Sequence, residues 1–127
     1  KDILQAYRVD TFIGADEALS AARRFRAAIE ERFAPKCIRT EYPVTQVLND
    51  GRVIRGWVDV LLETEDGWVL IEHKSSPRPK SDWNEDALAY SGQLAMYASA
   101  LDAAGCRVKE NWVHFPVTGG LVRVGAP

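Results

Sequence analysis

Cysteine is scarce in this 127-residue chain: Cys37 and Cys106 stand alone, far apart and outside any Cys-x-x-Cys pair. The metal-binding and redox motifs built on paired cysteines are therefore missing, and both thiols are expected to be ordinary residues of a reducing cytoplasm. Long hydrophobic runs are missing too. Nothing approaches the roughly 18 to 20 apolar residues of a membrane span, and no basic stretch followed by an apolar one opens the sequence. A cytoplasmic protein with no membrane partner is the expectation. Positive charge is not in excess: 16 Lys and Arg against 18 Asp and Glu leave a net charge of −2. A domain that gripped nucleic acid unaided would usually be basic overall, so any such grip has to be local, with Arg23, Arg24, Arg26, Arg32, Arg78 and Lys80 as the candidate cations. Finally, no Gly-x-x-x-x-Gly-Lys-Ser/Thr phosphate loop is present, so this stretch carries no nucleotide-binding motif of that kind.

What is present suffices for one domain over residues 1–127. The 46% hydrophobic and 27% charged side chains are ordinary for a globular chain, and a chain of this size hides roughly two thirds of its surface on folding. Because the first residue is Lys1, the domain is expected to be a piece of a longer chain. Leu19, Ala22, Phe25, Ile29 and Phe33 recur at helical spacing and predict a helix over residues 16–33, with Asp16 as its N-cap and Pro35 as its stop. Residues 38–48 and 52–63 read as strands joined at Asn49-Asp50-Gly51, a hairpin signal. The Asp66-Gly67 turn leads into Trp68-Val69-Leu70-Ile71, apolar on both alternating faces and so a central strand. Residues 75–82 read as a loop, and residues 83–104 as a long helix opened by the capping pair Asp82 and Glu85 and closed by Gly105. Trp112, Val113 and Phe115 mark a fourth strand, and residues 121–124 a short last one after Gly119-Gly120. The fold class predicted is α/β (α+β): a mixed sheet whose first three strands form an antiparallel meander, flanked by helices.

Charges at the end of a buried strand are costly unless paired or bound to a metal. Glu72 and Lys74 occupy that position, and strand alternation puts them on one face while His73 points to the other. Asp59 is the single carboxylate in the apolar run Trp57-Val58-Asp59-Val60-Leu61-Leu62, and antiparallel pairing brings it beside Glu72. Two carboxylates and a lysine suit a hard divalent cation that keeps several waters and binds phosphate oxygens. Such a cation polarises a scissile phosphate and acidifies a bound water, with Lys74 placed to offset charge developing in the transition state. A surface ion pair at a fraying strand end is the competing structural explanation for these residue types alone.

Three strings decide between them: Arg55-Gly56-Trp57-Val58-Asp59-Val60-Leu61-Leu62, then Trp68-Val69-Leu70-Ile71-Glu72-His73-Lys74-Ser75-Ser76, then Gln93-Leu94-Ala95-Met96-Tyr97. Together they resemble the RecB-like and AddA-like nuclease domains of the PD-(D/E)XK superfamily, which have a restriction-endonuclease-like core and occur attached to DNA helicases. The resemblance implies that Asp59 and Glu72 bind Mg²⁺ or Mn²⁺, with the backbone carbonyl of His73 as a further ligand, and that Lys74 is the catalytic lysine. It implies that Gln93 and Tyr97, on one helix face at i and i+4, contact the DNA backbone or steady that lysine. Glu41, before Pro43, matches a family glutamate that could reach the metal or the DNA. The implied activity is metal-dependent deoxyribonuclease, exonuclease or endonuclease, on single-stranded DNA delivered by an ATP-dependent helicase region in recombination and repair. The alternative is a catalytically weak nuclease-like DNA-binding or scaffolding module of a helicase. One cofactor is excluded and one departure stands out. Some relatives carry an iron–sulfur cluster needing four cysteines, which this chain cannot supply, and RecB-like domains usually have an upstream histidine, whereas none precedes His73 here.

Overall fold

The computed structural model describes residues 15–74, 91–116 and 120–124. Helix α1 (Ala15–Phe33) comes first, followed by β1 (Cys37–Val47), β2 (Val53–Thr64) and β3 (Gly67–His73), then α2 (Ser91–Ala103), β4 (Val108–Phe115) and β5 (Gly120–Val124). The strands form one five-stranded sheet in the order β1-β2-β3-β4-β5. Every neighbouring pair is antiparallel except β3 and β4, which run parallel. Parallel neighbours need a long crossover, usually through a helix, and here the intervening segment contains α2.

The turns follow from residues that tolerate left-handed backbone. Gly51 (φ 86°) closes the β1–β2 hairpin, and Gly67 (φ 143°) opens β3. A Cβ at Gly67 would also lie 3.3 Å from the Arg107 carbonyl oxygen, beside the point where Trp68 N–H donates to that same oxygen at 2.8 Å. Helix α1 ends at Phe33 because Ala34 turns to φ 44° and Pro35 cannot continue the helix. Asp16 lies inside the first turn, where its carboxylate meets the positive end of the helix dipole, instead of outside it as a cap.

The sheet has a core on each face. On one, α1 contributes Phe25 and Ile29 against Val60, Leu62, Val69, Ile71 and Trp112. On the other, α2 contributes Leu94, Tyr97, Ala98 and Leu101 against Val58, Leu61, Leu70, Val113 and Phe115. Burial of this kind stabilises by roughly 1.5–3 kcal/mol per large side chain. The buried stripe of α1 is Ala18, Ala21, Phe25 and Ile29. The expected Leu19 is 37% exposed and Ala22 sits at the edge, so the helix is rotated by about one residue from the predicted face. Strand β4 contains the expected Trp112, Val113 and Phe115 and also takes in the polar run Lys109, Glu110 and Asn111, drawn into the ladder by parallel pairing with β3. The loop at 75–82, the capping pair Asp82 and Glu85, and the cations Arg78 and Lys80 lie outside the described residues.

Candidate active site

Strands β2 and β3 pair regularly from Thr64 and Gly67 as far as Val60 and Ile71, and the ladder stops there. One step further, side chains replace it. The Asp59 backbone N–H donates to Glu72 Oε1 at 3.2 Å, and the His73 backbone N–H donates to Asp59 Oδ2 at 2.8 Å. Each carboxylate therefore satisfies a backbone donor of the opposite strand. This reciprocal clasp holds both acids at the splayed sheet end and fixes an oxygen of each.

The splaying has a cause in the neighbouring strands. A regular strand keeps alternate residues on one face, yet Val60 and Leu62 enter the core under α1 while Val58 enters the core under α2. Strand β1 makes the same switch, with Ile38 on the α1 side and Tyr42 and Val44 on the α2 side. Between them lies Glu41, at φ 49° and skipped by the register that pairs Thr40 with Val60 and Tyr42 with Val58. Left-handed backbone in a non-glycine residue inside a strand is costly and concentrates at functional sites. Here it sets Glu41, exposed, at the level of Asp59 on β2.

Lys74 follows β3 directly. It is half-buried, and its N–H donates to the His114 carbonyl at 2.7 Å, which extends the β3–β4 pairing past Glu72 and His73. Leu70 belongs to the α2-side core, and Glu72 and Lys74 share its alternation. On α2, Gln93 Nε2 donates to Tyr97 Oη at 2.9 Å, joining the two residues that the spacing placed on one face. Tyr97 is only 6% exposed. Its ring lies against Gly56: a Cβ at that position would fall 2.6 Å from Tyr97 Cε1 and 2.7 Å from Oη. Gly56 thus has a definite physical task beyond membership of a sequence pattern, which is to let the tyrosine ring settle on the backbone of the strand that carries Asp59.

His73 points to the opposite face. Its Nδ1 lies 2.9 Å from His114 Nδ1, and both rings pack on Phe25, at centroid distances of 5.0 and 4.2 Å. Burial pushes the His73 imidazole down to about 4, with the Asp59 charge opposing. Burial also pushes His114 down to about 3, with His73 adding to the fall. The pair is therefore neutral near pH 7, one ring donating and the other accepting. Sequence reading assigned His114 no role. Its only signal was that both histidines stand near the ends of strands, and it became informative only once β3 and β4 were parallel with His73 opposite His114.

Among the described residues no group of three or more His, Cys, Asp or Glu side chains forms a metal site. A pair of acids is nevertheless the usual protein contribution to Mg²⁺, which retains waters and takes phosphate oxygens, so Asp59 and Glu72 suit such an ion. The candidate cations of α1 are largely committed locally. Arg24 donates to Ser20 at 3.0 Å, Arg26 pairs with Glu30 at 3.2 Å, and Arg32 lies 4.6 Å over the Trp112 ring. Cys37 and Cys106 are free, half-buried thiols. No helix among the described residues is long and apolar enough to cross a membrane.

Comparison with known proteins agrees with this geometry. The family model for the PD-(D/E)XK nuclease superfamily matches residues 4–126. An ATP-dependent helicase/nuclease subunit from Pelotomaculum thermopropionicum is 35% identical over 83 residues, covering 65% of this chain and 6% of that protein. Its counterpart from Carboxydothermus hydrogenoformans is 32% identical over 75 residues, covering 58% of this chain and 6% of its own length. The chain thus matches about 6% of the length of these curated relatives. The crystal structure of SSO0001 superposes with a TM-score of 0.51, covering 99% of this chain and 59% of that one at 15% identity, which is a likeness of fold. A family match across almost the entire sequence shows that the chain belongs to the PD-(D/E)XK nuclease superfamily.

Proposed function

We propose that this chain is the catalytic module of a Mg²⁺- or Mn²⁺-dependent deoxyribonuclease that cuts single-stranded DNA delivered by an ATP-dependent helicase region in recombination or repair. The observation that carries the reading is the reciprocal clasp of Asp59 and Glu72 at the end of the β2–β3 ladder. Two acids side by side at a half-buried strand end repel each other, and a bound cation relieves that repulsion. Backbone N–H groups fix an oxygen of each acid in advance, so the site is preorganised. The two homologous helicase/nuclease proteins support the assignment of a motor elsewhere in the full polypeptide.

In this reading Asp59 and Glu72, with the His73 carbonyl, hold the ion, and Glu41 stands at the same level on β1. When bound, the ion would polarise the scissile phosphate and acidify the attacking water. Lys74, on the face of Glu72, places its ammonium where it offsets negative charge accumulating on the phosphorus-bound oxygens. Gln93, exposed on α2, binds the DNA backbone, and the buried Tyr97 holds it in place through Oη, a positioning role that acts through geometry. The His73–His114 pair, packed on Phe25 on the opposite face, stiffens the end of β3 from behind.

Titration calorimetry of the full-length protein with Mn²⁺ tests the ion site. Asp59→Ala and Glu72→Ala together should remove one binding event, and persistence of that event would place the ion elsewhere. Cleavage of single-stranded, duplex and branched DNA then separates this reading from a nuclease-like scaffold, which would bind without cutting.

A further inference from the structure

The half of the β1–β2 hairpin beyond Glu41 and Asp59 has two unlike faces. Val44 and Val58 belong to the core under α2. The opposite face carries Pro43, Thr45 and Val47 from β1 and Val53, Arg55 and Trp57 from β2, in the cross-strand pairs Pro43–Trp57, Thr45–Arg55 and Val47–Val53. All six are exposed. Trp57 is 63% exposed, although tryptophan is ordinarily among the most buried side chains. The charge pattern is as unusual as the exposure. In a chain with 18 acidic residues this face has none. Arg55 makes no hydrogen bond or ion pair among the described residues, whereas the nearby Arg52 is held by Asp50 at 2.6 Å.

We infer that Trp57 and Arg55 form a docking platform for single-stranded nucleic acid, with one base stacked on the Trp57 indole and the Arg55 guanidinium on an adjoining phosphate. This rests on the nuclease reading above and extends it to a specific contact. Trp57 precedes Asp59 by two residues, so the platform begins about 6–7 Å along β2 from the candidate metal ligands. Pro43 lies opposite Trp57 and lends a rigid apolar floor beside the indole. Exposed aromatic surface next to an uncompensated cation is how proteins hold unpaired strands without reading their sequence, because every base offers a π-face. A duplex hides those faces, so the platform favours single strands. The platform lies on the hairpin face turned away from α2, and Asp59 stands where β2 changes face between Val58 and Val60, so a strand held there would approach Asp59 from the side opposite Tyr97.

The test uses the full-length protein and a labelled single-stranded oligothymidine, together with a set in which one nucleotide at a time is abasic. Binding is measured without divalent metal and KM with Mg²⁺. Trp57→Leu, which keeps apolar bulk and loses the ring, should weaken binding and raise KM roughly 5- to 150-fold, the range for loss of one stacked base. Trp57→Phe should stay close to the natural protein. One abasic position should weaken the natural protein and leave Trp57→Leu unaffected, because ring and base are then lost as a single interaction. Arg55→Ala should reduce the salt slope of binding by about one. Undiminished binding by Trp57→Leu, or an abasic penalty that persists in it, overturns the platform. So does unchanged binding accompanied by a fall in melting temperature, which would mark the face as buried against another part of the polypeptide. A natural protein that binds no single strand at all sinks the nuclease reading, whereas one that cuts DNA indifferently to residue 57 sinks only the platform.

Discussion

Glu72 and His73 are adjacent in sequence and occupy opposite environments. Glu72 belongs to the sheet face under α2, bound through its carboxylate to the Asp59 backbone, with Lys74 sharing its alternation. His73 turns to the face under α1, where Phe25 and His114 hold its ring neutral by burial. One strand end thus carries acid and lysine side chains on one side and suppresses histidine ionisation on the other. The chemistry of a residue here is set by the parity of its position in β3, and the two faces should fail in different ways when altered. The carboxylate face should fail in catalysis. The histidine face should fail in stability.

The largest effect is expected from Asp59→Ala in the full-length protein. Metal-derived charge stabilisation amounts to several kcal/mol, so nuclease activity should fall about a thousandfold or more, while the lost bond to the His73 N–H costs only about 1–3 kcal/mol of stability. Loss of folding with retained specific activity would erase the contrast between the faces. On the other side, Phe25→Ala removes the ring on which both histidines pack and should cost about 3–5 kcal/mol in denaturant unfolding, with Mn²⁺ affinity retained in the folded fraction.

Gly56→Ala asks whether the carboxylate face extends to α2. The added methyl would meet the Tyr97 ring at 2.6 Å, and the overpacking should cost about 1–3 kcal/mol and raise KM more than it lowers kcat. In a Tyr97→Ala background the same substitution should be close to silent. Equal effects in both backgrounds would separate Gly56 from Tyr97.

The smallest effect concerns pH. The folded pKa values of His73 and His114 lie near 4 and 3, below the ordinary 6.5. As pH falls below 6.5 the unfolded chain takes up protons that the native pair refuses, so stability present above that pH is lost between 6.5 and about 3. Each histidine adds a slope of up to about 1.4 kcal/mol per pH unit. His114→Phe, which keeps a ring on Phe25, should remove one of the two contributions from this acid limb, and an unchanged slope would show that the pair is not what resists protonation.

Much of this arrangement was legible in the sequence because it depends on local signals. Gly51, Gly67 and Gly105 all adopt positive φ where turns were expected, and the apolar runs located β2 and β3 within a residue or so. The placing of Asp59 beside Glu72 followed from the hairpin alone. What escaped depends on contacts distant in sequence. Nothing local predicts φ 49° at Glu41, because a strand of ordinary residues gives no hint of a change of face. The start of β4 was hidden by polar residues that only a parallel neighbour makes extended. Tyr97 on Gly56 spans 41 positions of sequence, and the spacing of Gln93 and Tyr97 showed only that they share a helix face.

The most direct test of the account is cleavage of single-stranded DNA by the full-length protein and its Lys74→Ala variant, each with Mg²⁺ and with chelator. Lys74 is assigned an interaction with charge that develops in the transition state, so its loss should reduce kcat about a hundredfold or more while DNA affinity and Mn²⁺ binding stay close to the natural values. The natural protein should be silent in chelator. Cleavage that survives chelation, or full Mg²⁺-dependent turnover by the Lys74→Ala variant, would contradict the claim that the face of Glu72 is where the chemistry occurs.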